Sequence, residues 1–256
     1  MMMKTGFFVL VVCCFAALSG AYELREWMDV DGNVYQGRFV RELFGKLTVE
    51  DDEGNESTIA IADLSDLDKK YIRVMIPPKL DVVVRTQTKA LPRRPMALWR
   101  DDDEDEYWLV AEISKESQRP FTSRLNIEAF LVADEYPADN YILLAHFTDD
   151  FLLVGDDDYV STYKSPKVQT TVFTETGTSR RKGEVYKGYI FIITSQQGDV
   201  LSVKSDLPQW MQEPAMLEKL RELSIRGAAS VRSRHFNKAG EKVSPPRPTN
   251  YSVTVH

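Results

Sequence analysis

Residues 25–60 read REWMDVDGNVYQGRFVRELFGKLTVEDDEGNESTIA. Four short runs in and around this stretch alternate apolar and polar residues, which is the period of strands that bury one face. The runs are Leu24–Met28, Val34–Arg41, Lys46–Glu50 and Thr58–Ile61. Between them stand Gly, Asn and Asp residues, and Gly and Asn tolerate the positive φ that tight hairpins require. The pattern therefore predicts a small β meander of four or five strands.

A helical turn is predicted to close this meander. Ser65 precedes two acidic residues, Asp66 and Asp68, which is typical of an N-cap followed by the first turn of a helix. The turn would carry Leu67 and Tyr71. A module of about 55 residues has little core to spare, so each large apolar residue in it matters for stability.

Several short motifs of the module occur together and in a fixed order. They are Arg25-x-Trp27, Asp31-Gly32, Gly45-Lys46, Gly54-Asn55 and Leu64-Ser65-x-x-Asp68-x-x-Tyr71. In these residues the module resembles the first homology domain of the fungal endocytic adaptor Sla-one. That domain is a small Src-homology-3-like barrel, and it also occurs in many secreted bacterial proteins. The resemblance covers roughly the first fifth of the chain.

The resemblance implies a protein or peptide ligand, because the adaptor domain binds short Asn-Pro-Phe-x-Asp peptides. Such a site would join an apolar pocket for an aromatic side chain to a cation for a carboxylate. Lys46 is the first candidate cation, followed by Arg38 and Arg41, and the candidate aromatic residues are Trp27 and Phe39. Because large aromatic residues often anchor small cores, a core position is favoured for both aromatic residues.

Residues 1–21 have the form of a secretory signal. Lys4 precedes the apolar run Phe7–Leu18, and small residues end at Ala21, after which we expect cleavage. A membrane anchor is the alternative, but the run is shorter than the roughly 20 residues that cross a bilayer. Cys13 and Cys14 both lie in this leader, so the mature chain would have no thiol or disulfide. We therefore expect an exported protein, periplasmic or extracellular, without an integral membrane span after cleavage.

The composition is that of a soluble globular protein. Of 256 residues, 43% are hydrophobic and 28% are charged, and the net charge is −7. Nucleic acid is an unfavourable partner for this balance, because phosphate binding needs a clustered basic surface. No motif for a cofactor stands out, and we predict none.

Pro77-Pro78 ends the module, since proline cannot donate to a strand ladder. We predict a module at 22–75, a proline linker at 76–79, a β-sandwich domain at 80–226 and a basic, proline-containing tail at 227–256. The sandwich prediction rests on eight runs rich in Val, Ile, Tyr and Phe: Leu80–Arg85, Tyr107–Ile113, Arg124–Leu131, Tyr141–Phe147, Phe151–Val154, Val168–Phe173, Gly188–Thr194 and Val200–Lys204. The resulting fold class is all-β: a small Src-homology-3-like barrel followed by an antiparallel, immunoglobulin-like β-sandwich with one C-terminal helix.

Three segments carry more detailed signals. Alternate residues of the run 125–131 are apolar and fall on one face, as in a half-buried strand. Tyr189–Ile193 is apolar throughout, which indicates a central strand covered on both sides, and Gln197-Gly198-Asp199 after it supplies a predicted hairpin turn. Pro214 opens a helical pattern that ends at Gly227, and its predicted apolar face comprises Met216, Leu217, Leu220 and Leu223.

The sequence gives little indication of a catalytic site. The three histidines, His146, His235 and His256, are scattered, so we predict no metal centre, no nucleophilic triad and no enzyme. His146 lies in an apolar strand and is predicted to be a hydrogen-bonded structural residue.

Two acidic runs, Asp101–Glu106 and Asp156–Asp158, are predicted to be solvated loops. Asp156, Asp157 and Asp158 remain weak calcium candidates because clustered loop carboxylates can supply oxygen ligands. The leading prediction is a non-catalytic, exported binding or scaffold protein, or adaptor. A calcium-dependent adhesion or structural protein and a hydrolase of envelope polymers are the alternatives.

Overall fold

The computed structural model describes residues 22–92, 103–116, 120–153, 160–174, 180–226 and 234–244. In these ranges a four-stranded sheet with a first helix precedes a nine-stranded sheet with a second helix. The predicted all-β class, the antiparallel pairing and the C-terminal helix are confirmed. The expected signal peptide, Asp156–Asp158 and Gly227 lie outside the described residues.

The first sheet is a meander in the order β1-β2-β3-β4. Its strands are β1 Arg25–Met28, β2 Val34–Leu43, β3 Lys46–Glu50 and β4 Glu56–Ala60. A 3-10 turn at Ile61–Asp63 follows, and an antiparallel bridge between Asp29 and Leu64 then returns the chain to the end of the first strand.

Within the described ranges, four turns share one five-residue geometry. In each, the side-chain oxygen of the first residue accepts hydrogen bonds from the backbone amides two and four positions later, and the fourth residue is a glycine with positive φ. The turns are Asp29–Asn33, Asp51–Asn55, Ser195–Asp199 and Asn237–Glu241. Turn residues in the sequence predict the first three, whereas the fourth lies in the segment predicted as a tail.

Helix α1, Asp66–Met75, is longer than the single predicted turn. The Ser65 cap is confirmed, because its hydroxyl accepts a hydrogen bond from the Asp68 amide at 3.2 Å. Ile72 is fully buried beside Trp27 in the small core of the module, so the apolar face continues beyond the first turn and extends the helix.

The larger body is built on one antiparallel sheet in the order β13-β8-β7-β11-β10-β6-β5, with β12 added to β11 and β9 added to β6. Its strands are β5 Leu80–Ala90, β6 Asp103–Lys115, β7 Arg124–Tyr136, β8 Tyr141–Leu152, β9 Val160–Lys164, β10 Val168–Thr174, β11 Arg181–Thr194, β12 Val200–Ser205 and β13 His235–Phe236. Helix α2, Pro214–Arg226, follows a 3-10 turn at Gln209–Gln212.

The two layers of the body belong to this single folded sheet, because β10 pairs with β6 on one side and with β11 on the other. Between the layers lies an inner core in which Leu109 and Ile113 of one layer are buried with Leu131 and Phe191 of the other. The predicted apolar face of residues 125–131 is confirmed as part of this core.

The opposite face of β7, β8 and β11 is also buried. Ile190 and Phe130 lie there in an outer core with Met216 and Leu220 of α2 and with Phe236 of β13. The prediction that Tyr189–Ile193 is covered on both sides is therefore confirmed, and α2 presents its predicted apolar face to the sheet.

Two predicted boundaries are wrong. Asp103–Glu106 is the start of β6 rather than a loop, and three of its four side chains are paired: Asp103 with Arg181, Glu106 with Lys167, and Glu104 with Gln169. Phe151 does not begin a new strand, because Asp149 and Asp150 continue β8 and Asp150 forms an ion pair with Arg124. In both places cross-strand partners stabilise acidic residues in a strand.

The predicted tail also needs correction for residues 234–244. His235 and Phe236 pair with β8, and Phe236 bridges to Lys242 after the Asn237–Glu241 turn. Phe236 is fully buried, so this segment contributes to the outer core although its composition is polar.

Residues 76–79 join α1 to β5. Ile76 is buried, and the last turn of α1 is hydrogen-bonded to the segment before β7, where the Thr122 amide donates to the Arg73 carbonyl at 3.0 Å. The Ser123 hydroxyl donates to the next carbonyl, that of Val74. The module is thus held to the body by hydrogen bonds as well as by the covalent chain.

Candidate functional site

Of the two aromatic residues considered as ligand contacts, Trp27 belongs to the core. Its side chain is 1% exposed, and its indole N–H donates to the Gly37 carbonyl at 2.9 Å. Phe39 is half-buried and packs edge-to-face on Tyr22, with ring centroids 5.0 Å apart. Both rings therefore make their main contacts within the module, in agreement with the core positions that the sequence favours for them.

The candidate cations separate into two groups. Arg38 and Arg41 form exposed ion pairs with Asp52 and Glu56, at 2.9 Å and 2.7 Å. Such exposed pairs contribute little to stability. Lys46 is exposed and lies at the start of β3, directly after the turn that joins it to β2. The structure thus leaves Lys46 next to the hairpin tip, apart from the two paired arginines.

The tip of the β2–β3 hairpin contains the most unusual residue of the module. Leu43 pairs with Lys46, so the turn consists of Phe44 and Gly45, and both have positive φ, 50° and 71°. This is the type I′ geometry, in which Asn-Gly and Gly-Gly are preferred and a bulky first residue is strained. Phe44 is nevertheless 94% exposed, and the neighbouring Leu43 is 56% exposed.

Phe44 was not among the candidates from the sequence. The signal that identifies it is an aromatic residue directly before Gly at a two-residue hairpin turn, since that position forces the ring outward. Because the Phe44 side chain is almost fully exposed, its burial within the chain adds almost nothing to stability. The positive φ of its backbone, in contrast, costs conformational free energy. A residue of this kind points to a contact outside the chain.

A second arrangement missed from the sequence is formed by Arg25. Its guanidinium lies 3.7 Å from the centroid of the Tyr71 ring and 4.4 Å from that of Trp27, and it is ion-paired with Asp68. Asp68 also accepts a hydrogen bond from the Met28 amide at 2.9 Å. These contacts fasten α1 to β1, so the Arg-x-Trp motif stabilises the fold of the module.

On the outer face of the body, Glu128 joins α2 to the sheet. Its carboxylate accepts two hydrogen bonds from the guanidinium of Arg221, at 2.8 Å and 2.6 Å, and lies 2.9 Å from Nε2 of His146. Burial opposes ionisation, but hydrogen bonds from Arg221 and His146 outweigh it and lower the pKa of Glu128 to about 2. His146 also stacks on Phe130, which confirms its prediction as a hydrogen-bonded structural residue.

Two neighbouring acidic residues, one buried and one half-buried, lie on the inner face of the same sheet. Glu135 and Glu184 are direct cross-strand partners, and Glu135 is 5% exposed. Asn140 donates to Glu135 at 3.1 Å, and Nδ1 of His235 lies 3.3 Å from the Glu135 carboxylate. His235 lies in the segment predicted as a tail, and no local pattern in the sequence indicates that β13 carries it to this pair.

Burial raises the pKa of Glu184, and the charge of Glu135 adds to that effect, while the Thr171 backbone opposes it. Because the folded-state pKa is raised, ionisation of Glu184 costs stability as the pH rises above the usual value of 4.5. We therefore expect Glu184→Gln to raise the melting temperature at pH 7 and to have little effect near pH 4. The exposed Glu222→Gln variant is the control, and equal melting temperatures for the wild type and Glu184→Gln at pH 7 would contradict the expectation.

Among the described residues, no group of three or more His, Cys, Asp or Glu side chains is arranged to hold a metal ion. Neither α1 nor α2, nor any other helix of the described ranges, combines the length and the apolar character that crossing a bilayer requires.

Comparisons with known proteins add little. No family model and no curated protein matches the chain. A crystal structure from Akkermansia muciniphila is similar over 64% of this chain and 88% of its own, with 12% identity and a TM-score of 0.27. A likeness of this size carries no argument about fold or function.

Proposed function

We propose that this chain is an exported, non-catalytic binding protein that contacts a protein partner through the tip of the β2–β3 hairpin. The observation that carries the proposal is Phe44, an aromatic side chain that is 94% exposed on a backbone with φ of 50°. The resemblance of the module to the Sla-one homology domain supports protein or peptide recognition by the same part of the chain.

The chemistry of the tip indicates what the partner should offer. Phe44 and Leu43 form an apolar projection, and the exposed ammonium of Lys46 lies beside it. A partner with an apolar socket and a neighbouring carboxylate would bury the ring and pair with the cation. Aromatic residues at the centre of an interface commonly contribute about 2 kcal/mol or more, which is about thirty-fold in Kd.

Replacement of Phe44 by asparagine should separate binding from stability. Asn is favoured at the first position of a type I′ turn, so Phe44→Asn is expected to stabilise the protein by about 1 kcal/mol. The same variant should weaken partner binding about thirty-fold, because the apolar anchor is lost. Urea denaturation measures the first effect, and an array of peptides and envelope proteins probed with the full chain measures the second.

The matched control is Leu67→Asn. Leu67 is 80% exposed on α1, so the control removes a similar apolar area at another place on the module. It should leave the array signals unchanged. Array signals that survive in Phe44→Asn, or that disappear equally in both variants, would overturn the proposed role of the hairpin tip.

A further inference from the structure

A groove of about 420 Å³ lies between α2 and the Asn237–Glu241 turn. Its apolar surface is formed by Trp210, Ala215, Met216 and Ala239. Three charged residues, Lys219, Lys238 and Glu213, complete the lining. The groove thus has a mainly apolar surface, and its charged lining residues, two lysines and one glutamate, give it an excess of one positive charge.

The walls of the groove are held by contacts between the turn and the helix. The ammonium of Lys219 donates to the Ala239 carbonyl at 2.6 Å. Gly240 has φ of 73° and packs so closely that an added Cβ would lie 2.6 Å from Cδ of Lys219. Behind the groove, Trp210 packs on Tyr141 with ring centroids 5.5 Å apart. The shape is therefore built by the fold of the outer core.

The charge of the groove favours an anion. The whole chain has a net charge of −7, yet neither Lys219 nor Lys238 forms an ion pair within the described residues. Lys238 is exposed, and two of the three ammonium protons of Lys219 remain after its bond to Ala239. An anionic group entering here would meet two cations that form no ion pair within the described residues, next to an aromatic and aliphatic surface.

The size of the groove narrows the class of ligand. A volume of this order holds one or two side chains, at the low end of sites that take a small organic ligand. The apolar part and the anion must therefore be close together in the ligand. The C-terminal residue of a peptide meets this requirement, because its side chain and its free carboxylate are attached to the same Cα.

We propose that this groove binds the free C-terminus of a partner polypeptide that ends in an apolar residue. The last side chain lies against Trp210 and Met216, and the carboxylate pairs with Lys238 and Lys219. This surface is separate from the Phe44 tip, so the two proposals can fail independently.

Calorimetric titration of the full chain with short synthetic peptides tests the proposal. The probe is acetyl-Gly-Ser-Gly-Phe with a free carboxylate, and the comparison peptide is the same sequence with a C-terminal amide. We expect the amide to bind at least tenfold more weakly, because it lacks the charge that the two lysines recognise. A third peptide, acetyl-Gly-Phe-Asp-Gly amide, carries an internal carboxylate and should bind no better than the amide. Equal affinity for the free and amidated peptides, or no heat for either, would overturn the proposal.

Substitutions in and beside the groove test where the peptide binds. Ala215→Glu, at an exposed residue of the groove, should abolish binding of the free-carboxylate peptide, and Lys238→Gln should weaken it several-fold. Lys242→Gln, on the same hairpin but outside the groove lining, is the control and should bind like the wild type. Wild-type affinity in Ala215→Glu would contradict the location. Binding that appears only in a chain ending at Ser244 would show that the chain's own end occupies the groove, and would also overturn the proposal.

Discussion

Replacing Gly183 with alanine is expected to destabilise the body by about 3–5 kcal/mol. Gly183 has φ of +133°, and an added Cβ would lie 2.0 Å from the Thr171 carbonyl oxygen and 2.9 Å from Cα of Val172. Both neighbouring atoms belong to the backbone of β10, the strand that joins the two layers, so rotation of a side chain cannot relieve the clash. Urea denaturation followed by tryptophan fluorescence measures the loss.

Gly198→Ala is the matched control for this prediction. Gly198 also has a positive φ, +92°, but no atom lies within 4 Å of the position that its Cβ would take. The control should therefore show only the backbone cost, about 1 kcal/mol. If Gly183→Ala were no more destabilising than Gly198→Ala, the close contact between β10 and β11 would not limit stability.

Glu128→Ala is expected to destabilise the protein by about 2–3 kcal/mol. The substitution leaves the guanidinium of Arg221 and the ring of His146 without their shared carboxylate, and removing the hydrogen-bond partner of largely buried polar groups is costly. The side chain of Arg221 is one-third exposed, so water reduces the effect below that of a fully buried pair. Glu218→Ala is the control, because Glu218 also pairs with Arg221 but is largely exposed and should contribute less than about 0.5 kcal/mol.

The network of Glu128, Arg221 and His146 also predicts that the stability of the protein depends on pH. The folded-state pKa of Glu128 is about 2, below its usual 4.5, so its contribution to stability is fully present above pH 4.5 and is lost as the pH falls toward 2. The difference in stability between the wild type and Glu128→Gln should therefore shrink over that interval. Urea titrations at a series of pH values measure it, and a difference that stays constant from pH 6 to pH 2 would contradict the assignment.

Much of the fold follows from local patterns. The alternation at residues 125–131, the apolar run at 189–193 and the helical face that includes Leu220 each predict an element and the side that it buries. Turn residues predict the positions of three of the four five-residue turns. The fourth turn lies in a segment whose basic, polar composition is typical of a tail, although Asn237 and Gly240 have the same spacing, and the same roles as side-chain acceptor and glycine, as Ser195 and Gly198.

The candidate sites were less predictable. The strand predicted at Lys46–Glu50 is confirmed, but only the two positive φ angles at the turn before it show how far Phe44 projects from the module. The groove beside α2 depends on the Asn237–Glu241 turn meeting Lys219, and no local pattern links these two segments.

By itself, the amino-acid sequence determined the strand periods, most turn positions and the apolar faces of the helices, because these depend on neighbours within a few residues. Only the tertiary structure decided that β10 joins two layers into one sheet, that β13 carries His235 to Glu135, and that Arg221 meets Glu128 across 93 positions of the chain. The physical reason is that such partners are selected by the packing of whole faces against one another, and their sequence separation leaves no periodic trace.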